Sequence, residues 1–257
     1  MNIDFTKYKR FFAFGCSFTC YIWPTWADVV SKEMPQAEFY NLGKTGAGNL
    51  CISSKVAEAN NRFKFTDTDL VMVMFSSYTR EDRWVEYEWM THGNVFVNEV
   101  YPKDWVRKFA DERGYLIRDA SLIDLTNRYL KSLACDSFTM LSVPFTTNSD
   151  SPTCHESIAP NDILEVYADT FNSMSPSFFE LELDGWDTDY KKFEDGHPST
   201  IKYYNYLEKI GFKFSESTKQ YALDSTQILI EEDSRALVQT RFPEQYYNAD
   251  MSRKLTF

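Results

Sequence analysis

The sequence is poor in the residues and runs that mark several protein classes. Its 9 glycines and 9 prolines in 257 residues exclude collagen-like and low-complexity chains. Its 5 cysteines are odd in number and irregularly spaced, which indicates reduced thiols in a cytosolic protein. The longest strongly apolar run, 70–75, is too short to span a membrane, and the amino terminus lacks signal-peptide features. We therefore predict a cytoplasmic protein without a membrane partner.

Positive charge is also scarce. The chain has 27 Lys and Arg against 38 Asp and Glu, a net charge of −11, and no Lys/Arg-rich stripe. Nucleic-acid binding needs clustered cations that displace counterions from phosphates, so we expect no nucleic-acid partner. Hydrophobic residues make up 43% of the chain and aromatic residues 17%, enough for one substantial core. We predict a single domain over residues 1–257.

Segments of strand character alternate with segments of helical period, which predicts an α/β fold with a mostly parallel sheet covered on both faces. Strands are predicted at 10–15, 38–42, 69–75 and 137–143. Helices are predicted at 25–34, 47–63, 105–133 with a break near Gly114, 162–174, 198–211 with Pro198 at its first position, and 218–238. We interpret 81–104 as an irregular aromatic-rich insertion or a lid over a pocket, 146–160 as a polar loop, and 216–257 as a helical extension.

A serine follows the first predicted strand directly, in the sequence GCSFT at 15–19. Parallel α/β sheets bind their ligands outside the carboxyl ends of the strands, which is where Ser17 is expected. Gly15 permits a tight exit from the strand, and the next segment can present N–H groups to an oxyanion. Alone, this motif more often marks an ordinary strand-to-helix turn.

A histidine with acidic residues upstream lies near the other end, in the sequence EDGHP at 194–198. Pro198 fits the first position of a helix, which places His197 at its start. A carboxylate just upstream can hold the imidazole in the tautomer that accepts a proton from a serine. The alternative is a surface histidine that caps a helix. The two other histidines, His92 and His155, lack comparable surroundings, and we expect no role for them.

Together, the early Gly-x-Ser-x-Thr and the late acid–His–Pro resemble the SGNH (GDSL-like) hydrolase superfamily over residues 9–212. The GCSFT form resembles bacterial and phage-encoded members. The resemblance implies a three-layer α/β/α fold with a flavodoxin-like sheet of five strands, and no cofactor or metal. It also implies Ser17 as nucleophile and His197 as its base. The usual Asp-x-x-His spacing favours Glu194 as the triad acid, whereas the DGHP sequence favours Asp195.

Two further blocks of the family concern the oxyanion hole. Residues 41–49 (NLGKTGAGN) resemble the second block, in which Gly46 occupies the position that supplies an N–H group. The third block departs from the pattern, because the sequence SSYTR at 76–80 stands where an asparagine is usual. A hydroxyl of Ser76 or Ser77 would then replace the amide donor. Arg80 either binds a substrate anion or pairs with a neighbouring carboxylate, Glu81 or Asp82.

The expected function is a serine ester hydrolase that acts on a small-molecule or carbohydrate ester, such as a carbohydrate O-acetylesterase. The tryptophans either stack on sugar rings or simply fill the core and cover the insertion; they are Trp84, Trp89, Trp105 and Trp186. The alternatives are an acyltransferase to a sugar hydroxyl and a binding module that has lost catalysis, while a structural virion component has no repeat or heptad in its favour. A Cys16 nucleophile and a metal site of Cys16, Cys20, Cys154 and His155 are weaker hypotheses.

Overall fold

A parallel sheet of four strands forms the centre of the part of the chain that the structure describes. The computed structural model describes residues 3–96, 101–145, 161–182 and 196–245. The sheet comprises β1 (Arg10–Phe14), β2 (Glu38–Asn41), β3 (Asp69–Phe75) and β6 (Asp136–Leu141). Their order is β2-β1-β3-β6 and every pairing is parallel. This is the flavodoxin-like order, with four strands in the described residues instead of the predicted five.

Helices cover both faces of this sheet, which confirms the predicted α/β class. Helix α1 (Trp26–Lys32) joins β1 to β2, and α2 (Asn49–Phe63) joins β2 to β3. These two crossovers run in opposite directions across the sheet, and crossovers are almost always right-handed, so α1 and α2 lie on opposite faces. The central strands β1 and β3 are consequently buried on both sides, and every residue of β3 is buried.

The remaining helices extend these two layers. On the face of α2 lies α4 (Glu112–Lys131), and on the face of α1 lie α8 (Thr200–Lys209) and α9 (Glu216–Glu231). The shorter helices are α3 (Lys103–Phe109), α5 (Asn161–Val166), α6 (Ala168–Asn172), α7 (Phe178–Glu182) and α10 (Arg235–Arg241). Among the helices of the described residues, none has both the length and the apolar character needed to cross a bilayer.

The predicted strands agree with the structure to within two residues at each end. Among the helices, 105–133 is interrupted at Ala110 and Asp111 and not at Gly114, because the Asp111 carboxylate caps α4 by accepting the Gly114 N–H at 2.8 Å. The predicted helix at 162–174 is divided at Tyr167 into α5 and α6. The predicted loop at 146–160 lies outside the described residues.

The stretch interpreted as an irregular insertion is in fact regular over most of its length. β4 (Arg80–Val85) and β5 (Glu88–Asn94) form an antiparallel hairpin. Its turn places Glu86 and Tyr87 at positive φ, 48° and 75°. A two-residue hairpin turn usually contains Asn or Gly at these positions, so the sequence lacks the signal that would have predicted it.

The start of α8 also differs from the prediction. Ser199 is the N-cap of α8 and the helix begins at Thr200, so Pro198 precedes the cap and is not the first helical residue. Serine is one of the preferred N-cap residues. The Pro198 carbonyl accepts a hydrogen bond of 2.9 Å from the Trp23 indole N–H. His197 is therefore held in extended chain just before the helix.

A buried aspartate joins α1 to the end of the described chain. One carboxylate oxygen of Asp28 accepts from the Thr25 N–H at 2.7 Å, and the other accepts from the Gln245 side-chain amide at 2.9 Å. Burial raises the pKa of Asp28 to about 6, although these hydrogen bonds oppose the shift.

This pKa predicts a measurable dependence of stability on pH. Folded Asp28 keeps its proton up to about pH 6, whereas an unfolded aspartate releases it near pH 4. The contribution of Asp28 to the free energy of unfolding is therefore complete below about pH 4. It is lost as the pH rises to about 6, a change of about 3 kcal/mol. Urea unfolding of the unmodified protein and of Asp28→Asn across this range measures the difference. Identical pH slopes for the two proteins would contradict it.

Candidate active site

A cavity of about 540 Å³ lies at the carboxyl ends of the parallel strands. Each strand of the sheet is followed by a segment that lines it: 17–18 after β1, 45–46 after β2, 77–80 after β3 and 142–144 after β6. The hairpin contributes 91–94, and the chain before α8 contributes Gly196 and His197. This edge of the sheet is where α/β proteins bind their ligands.

Ser17 reaches the cavity through a tight turn. The Cys16 carbonyl accepts the Thr19 N–H at 2.9 Å, so a turn and not a helix follows the serine. A β-carbon on Gly15 would lie 2.1 Å from Thr19 Oγ1 and 2.9 Å from the Met74 carbonyl oxygen, and therefore only glycine fits. Ser17 is 5% exposed, and its hydroxyl makes no hydrogen bond to another described residue.

Gly46 is held beside the cavity in a conformation that excludes other residues. Its φ is +77°, and a β-carbon there would lie 2.1 Å from the Thr91 carbonyl oxygen on β5. The Thr91 hydroxyl also donates to the Thr45 carbonyl at 2.8 Å, which fixes the hairpin against this loop. Within the described residues, neither the Gly46 N–H nor the Ser17 N–H donates a hydrogen bond to the protein. Both are therefore available to a ligand oxygen.

His197 lines the same cavity and is held by aromatic rings. Its imidazole stacks on the Tyr21 ring with centroids 3.8 Å apart and an angle of 16° between the planes. The rings of Phe18 and Trp23 meet it edge-on at 5.7 and 6.4 Å. Arg235 on α10 in turn donates to the Tyr21 hydroxyl at 2.5 Å. The turn after the serine thus positions the histidine.

The structure therefore brings the predicted nucleophile, the predicted base and Gly46 to one cavity from three distant parts of the chain. The two candidates for the triad acid, Glu194 and Asp195, lie outside the described residues. The choice between them stays a prediction.

The two serines of the third block occupy different environments. Ser76 is fully buried, its hydroxyl has no hydrogen-bond partner, and it is not among the residues that line the cavity. The position of Ser76 outside the cavity wall does not favour its expected role as an oxyanion donor. Ser77 does line the cavity, but its hydroxyl shares a hydrogen bond of 2.8 Å with the Thr79 hydroxyl. Ser77 Oγ also accepts the Thr79 N–H at 3.2 Å, so this hydroxyl is tied to its own loop.

A buried asparagine fixes the end of β3 behind these serines. Asn49 Oδ1 accepts the Ser76 N–H at 2.8 Å, and its amide donates to the Ser76 carbonyl at 2.9 Å. The amide also donates to Asp119 at 2.8 Å. Burial raises the pKa of Asp119 to about 7 in spite of its ion pair with Arg118. Because both ends of the Asn49 side chain are occupied, it positions Ser76 and is not an oxyanion donor.

Arg80 lines the cavity and does not form the ion pairs considered for it. Its Nη1 donates to the Ala47 carbonyl at 3.1 Å, and no carboxylate of the described residues lies within 4.0 Å of it. Glu81 pairs with Arg83 and Arg118 instead. Asp82 accepts the N–H groups of Gly48 and Cys51, at 2.8 and 2.9 Å, at the start of α2.

Sequence reasoning missed several residues of the cavity wall. His92 and Glu112 line it, although His92 was expected to have no role. Nothing local in the sequence indicates this, because His92 reaches the cavity only through the hairpin. Tyr21 does not line the cavity, but its stacking on His197 was also missed. Its aromatic neighbour Trp23, so soon after the serine, is the signal that could have indicated it. His155 lies outside the described residues.

The tryptophans do not support sugar stacking in this cavity. Trp84, Trp89 and Trp105 are absent from its wall and pack on one another or on other rings of the hairpin and α3. Trp186 lies outside the described residues. The aromatic rings that do line the cavity are those of Phe18, Tyr78, Phe96, Phe179, His92 and His197.

The cysteine hypotheses also change. Cys16 is completely buried and does not line the cavity, which contradicts its role as a nucleophile. Burial raises the pKa of Cys20 to about 12, so it remains a thiol. Cys154, the third cysteine of the metal hypothesis, lies outside the described residues together with His155.

Comparison with known proteins gives a distant structural similarity. No family model matches the chain, and no curated protein matches it in sequence. The crystal structure of protein YxiM from Bacillus subtilis is similar, with a TM-score of 0.40 and 11% identity over 94% of this chain. The match covers 58% of the YxiM chain, so this chain spans less than two thirds of that protein. So distant a similarity has no bearing on activity.

The stacking of His197 on Tyr21 predicts a spectroscopic signature. Imidazole protons above a tyrosine face are shielded, so Tyr21→Leu should move the His197 ring signals downfield in proton NMR. It should also lower the free energy of unfolding by about 1 kcal/mol or more. Tyr21→Phe keeps the ring and should leave the shielding in place, and His197→Gln identifies the signals. Unchanged His197 signals in Tyr21→Leu would disprove the stack.

Proposed function

We propose that this protein is a serine ester hydrolase of the SGNH type. The main support is that Ser17, Gly46 and His197, far apart in sequence, line one cavity at the carboxyl edge of the sheet. The volume of about 540 Å³ suits a small ester.

The reaction follows from the groups at the cavity. His197 accepts the Ser17 hydroxyl proton while Ser17 Oγ bonds to the ester carbonyl carbon. The Ser17 and Gly46 N–H groups donate to the resulting oxyanion. The carbon–oxygen bond to the alcohol then breaks, and the alcohol takes the proton from the imidazolium. Water, deprotonated by His197, attacks the acyl-enzyme and releases the acid and Ser17.

An upstream carboxylate completes this proposal. Asp195 or Glu194 orients the imidazole so that its other nitrogen faces the serine. The aromatic contacts of His197 with Tyr21 and Trp23 give it a second source of orientation. We retain a small acyl ester or an acetylated sugar as the substrate, and an acyltransferase would use the same residues.

One observation favours a second function, a binding module without catalysis. Ser76 is buried away from the cavity and the Ser77 hydroxyl shares a hydrogen bond with Thr79, so the family's asparagine has no direct equivalent in the described residues. Loss of one such donor lowers the rate by about 10²–10³-fold. A slow enzyme and an inactive binder are the two consequences to be separated.

Covalent labelling separates them. We expect a fluorophosphonate probe to label the unmodified protein and p-nitrophenyl acetate to be hydrolysed, because Ser17 shares one cavity with His197 and Gly46. Ser17→Ala should abolish labelling, and His197→Gln should reduce turnover by about 10³-fold or more. Mass spectrometry of the labelled peptide gives the site.

The matched control is Ser142→Ala, which removes another serine hydroxyl from the wall of the same cavity. Labelling and turnover should persist in that variant. Absence of labelling and turnover in the unmodified protein would favour the binding module, and labelling that survives Ser17→Ala would rule out this nucleophile.

A further inference from the structure

The arginines near the cavity differ in how fully their donors are used. Arg118 on α4 donates to Asp119 at 2.5 Å, to Glu81 at 3.3 Å and to the Arg80 carbonyl at 2.7 Å. Each of its three nitrogens thus has an acceptor, as expected for a half-buried structural arginine. Arg118 holds the first residue of the hairpin in place, and all three of its nitrogens are engaged by the protein.

Arg80 is different although it is also half-buried. Among the described residues, the only hydrogen-bond acceptor of its guanidinium is the Ala47 carbonyl, at 3.1 Å. Four of the five N–H donors of an arginine therefore have no protein acceptor here. Withdrawing a cation partly from water without a counter-ion is unfavourable, and a ligand anion would offset this cost.

The position of Arg80 relates it to the proposed reaction. Its guanidinium donates a hydrogen bond to the carbonyl of Ala47, the residue next to Gly46. Arg80 also lines the cavity together with Ser17 and His197. The two acidic residues that follow it are engaged elsewhere. Glu81 pairs with Arg83 and Arg118, and both oxygens of Asp82 accept N–H groups at the start of α2. A substrate bound at Ser17 would therefore have, beside the loop that contains Gly46, a cation that forms no ion pair within 4.0 Å in the described residues. The Asp82 charge attracts this cation only through space.

We infer that Arg80 forms an anion subsite and that the substrate is an ester bearing a carboxylate group. This inference rests on the proposed hydrolase function and specifies its substrate class. An arginine fork donates two parallel hydrogen bonds to a carboxylate, so the subsite both selects the substrate and fixes its direction in the cavity.

One acidic side chain shares the cavity wall. Glu112, the first residue of α4, lines the cavity, and its Oε2 is buried without a hydrogen-bond partner in the described residues. It does not pair with Arg80, since no ion pair within 4.0 Å joins them. A carboxylate held by Arg80 would be repelled by Glu112, so removal of the Glu112 charge should strengthen binding.

Paired substrates test the subsite. p-Nitrophenyl hemisuccinate and butyrate differ by a carboxylate in place of a methyl group, as do the hemiglutarate and valerate. We expect kcat/KM to be higher for the carboxylate-bearing ester than for the uncharged ester in at least one pair. Arg80→Met should lower the ratio of these two kcat/KM values by about 10-fold or more. Arg83→Met is the matched control, because Arg83 lies on the same strand but does not line the cavity. Its ratio should equal that of the unmodified protein.

A binding measurement distinguishes failure of the subsite from failure of the catalytic proposal. Calorimetric titration of the Ser17→Ala protein with succinate and glutarate should show binding that Arg80→Met weakens by about 10-fold and Glu112→Gln strengthens. If the dicarboxylates bind in this way but the unmodified protein hydrolyses none of the esters, the hydrolase proposal is rejected and the anion subsite is retained. Equal losses for both members of each pair, or binding indifferent to Arg80, would overturn the subsite.

Discussion

Two buried polar side chains hold the cavity together, and the candidate site depends on them. Asp82 on the hairpin accepts N–H groups at the start of α2, and Asn49 at the start of α2 hydrogen-bonds both backbone groups of Ser76. The loop after β2, the end of β3 and the hairpin are thereby fixed to one another. Burial raises the pKa of Asp82, while the N–H groups and Arg118 oppose the shift. A buried carboxyl that kept fewer partners would destabilise this arrangement.

The carboxy-terminal helices take part in the site although the resemblance ends before them. α9 and α10 contribute Leu229 and Val238 to a small apolar cluster with Tyr21 and Trp23. Arg235 binds the Tyr21 hydroxyl, and Tyr21 stacks on His197. The orientation of the imidazole thus depends on packing far from the reacting atoms. A catalytic base must keep its geometry to within a fraction of an ångström, which aromatic contacts on several sides help to enforce.

Much of the sheet was predictable because burial on both faces leaves a continuous apolar run, as in β1 and β3. The positions of Ser17, Gly46 and His197 were predictable because each lies beside a strand or helix end with local sequence signals, whereas their roles stay predictions. The hairpin was not, since its turn at Glu86 and Tyr87 lacks glycine or asparagine. The position of His92 on the cavity wall and the burial of Ser76 away from the cavity were not predictable either. They depend on which long-range contacts form, such as Thr91 against Gly46 and Asn49 against Ser76.

The electrostatics of the oxyanion position follow from the same contacts. The start of α2 lies just after Gly46, and a free helix N-terminus would present a partial positive charge there. Asp82 occupies that end, with its carboxylate on the N–H groups of Gly48 and Cys51. Its negative charge cancels the helix dipole, and a turn instead of a helix follows Ser17. In the proposed reaction, stabilisation of an oxyanion would therefore rest on the N–H groups of Ser17 and Gly46 and on the nearby Arg80, and not on a helix terminus.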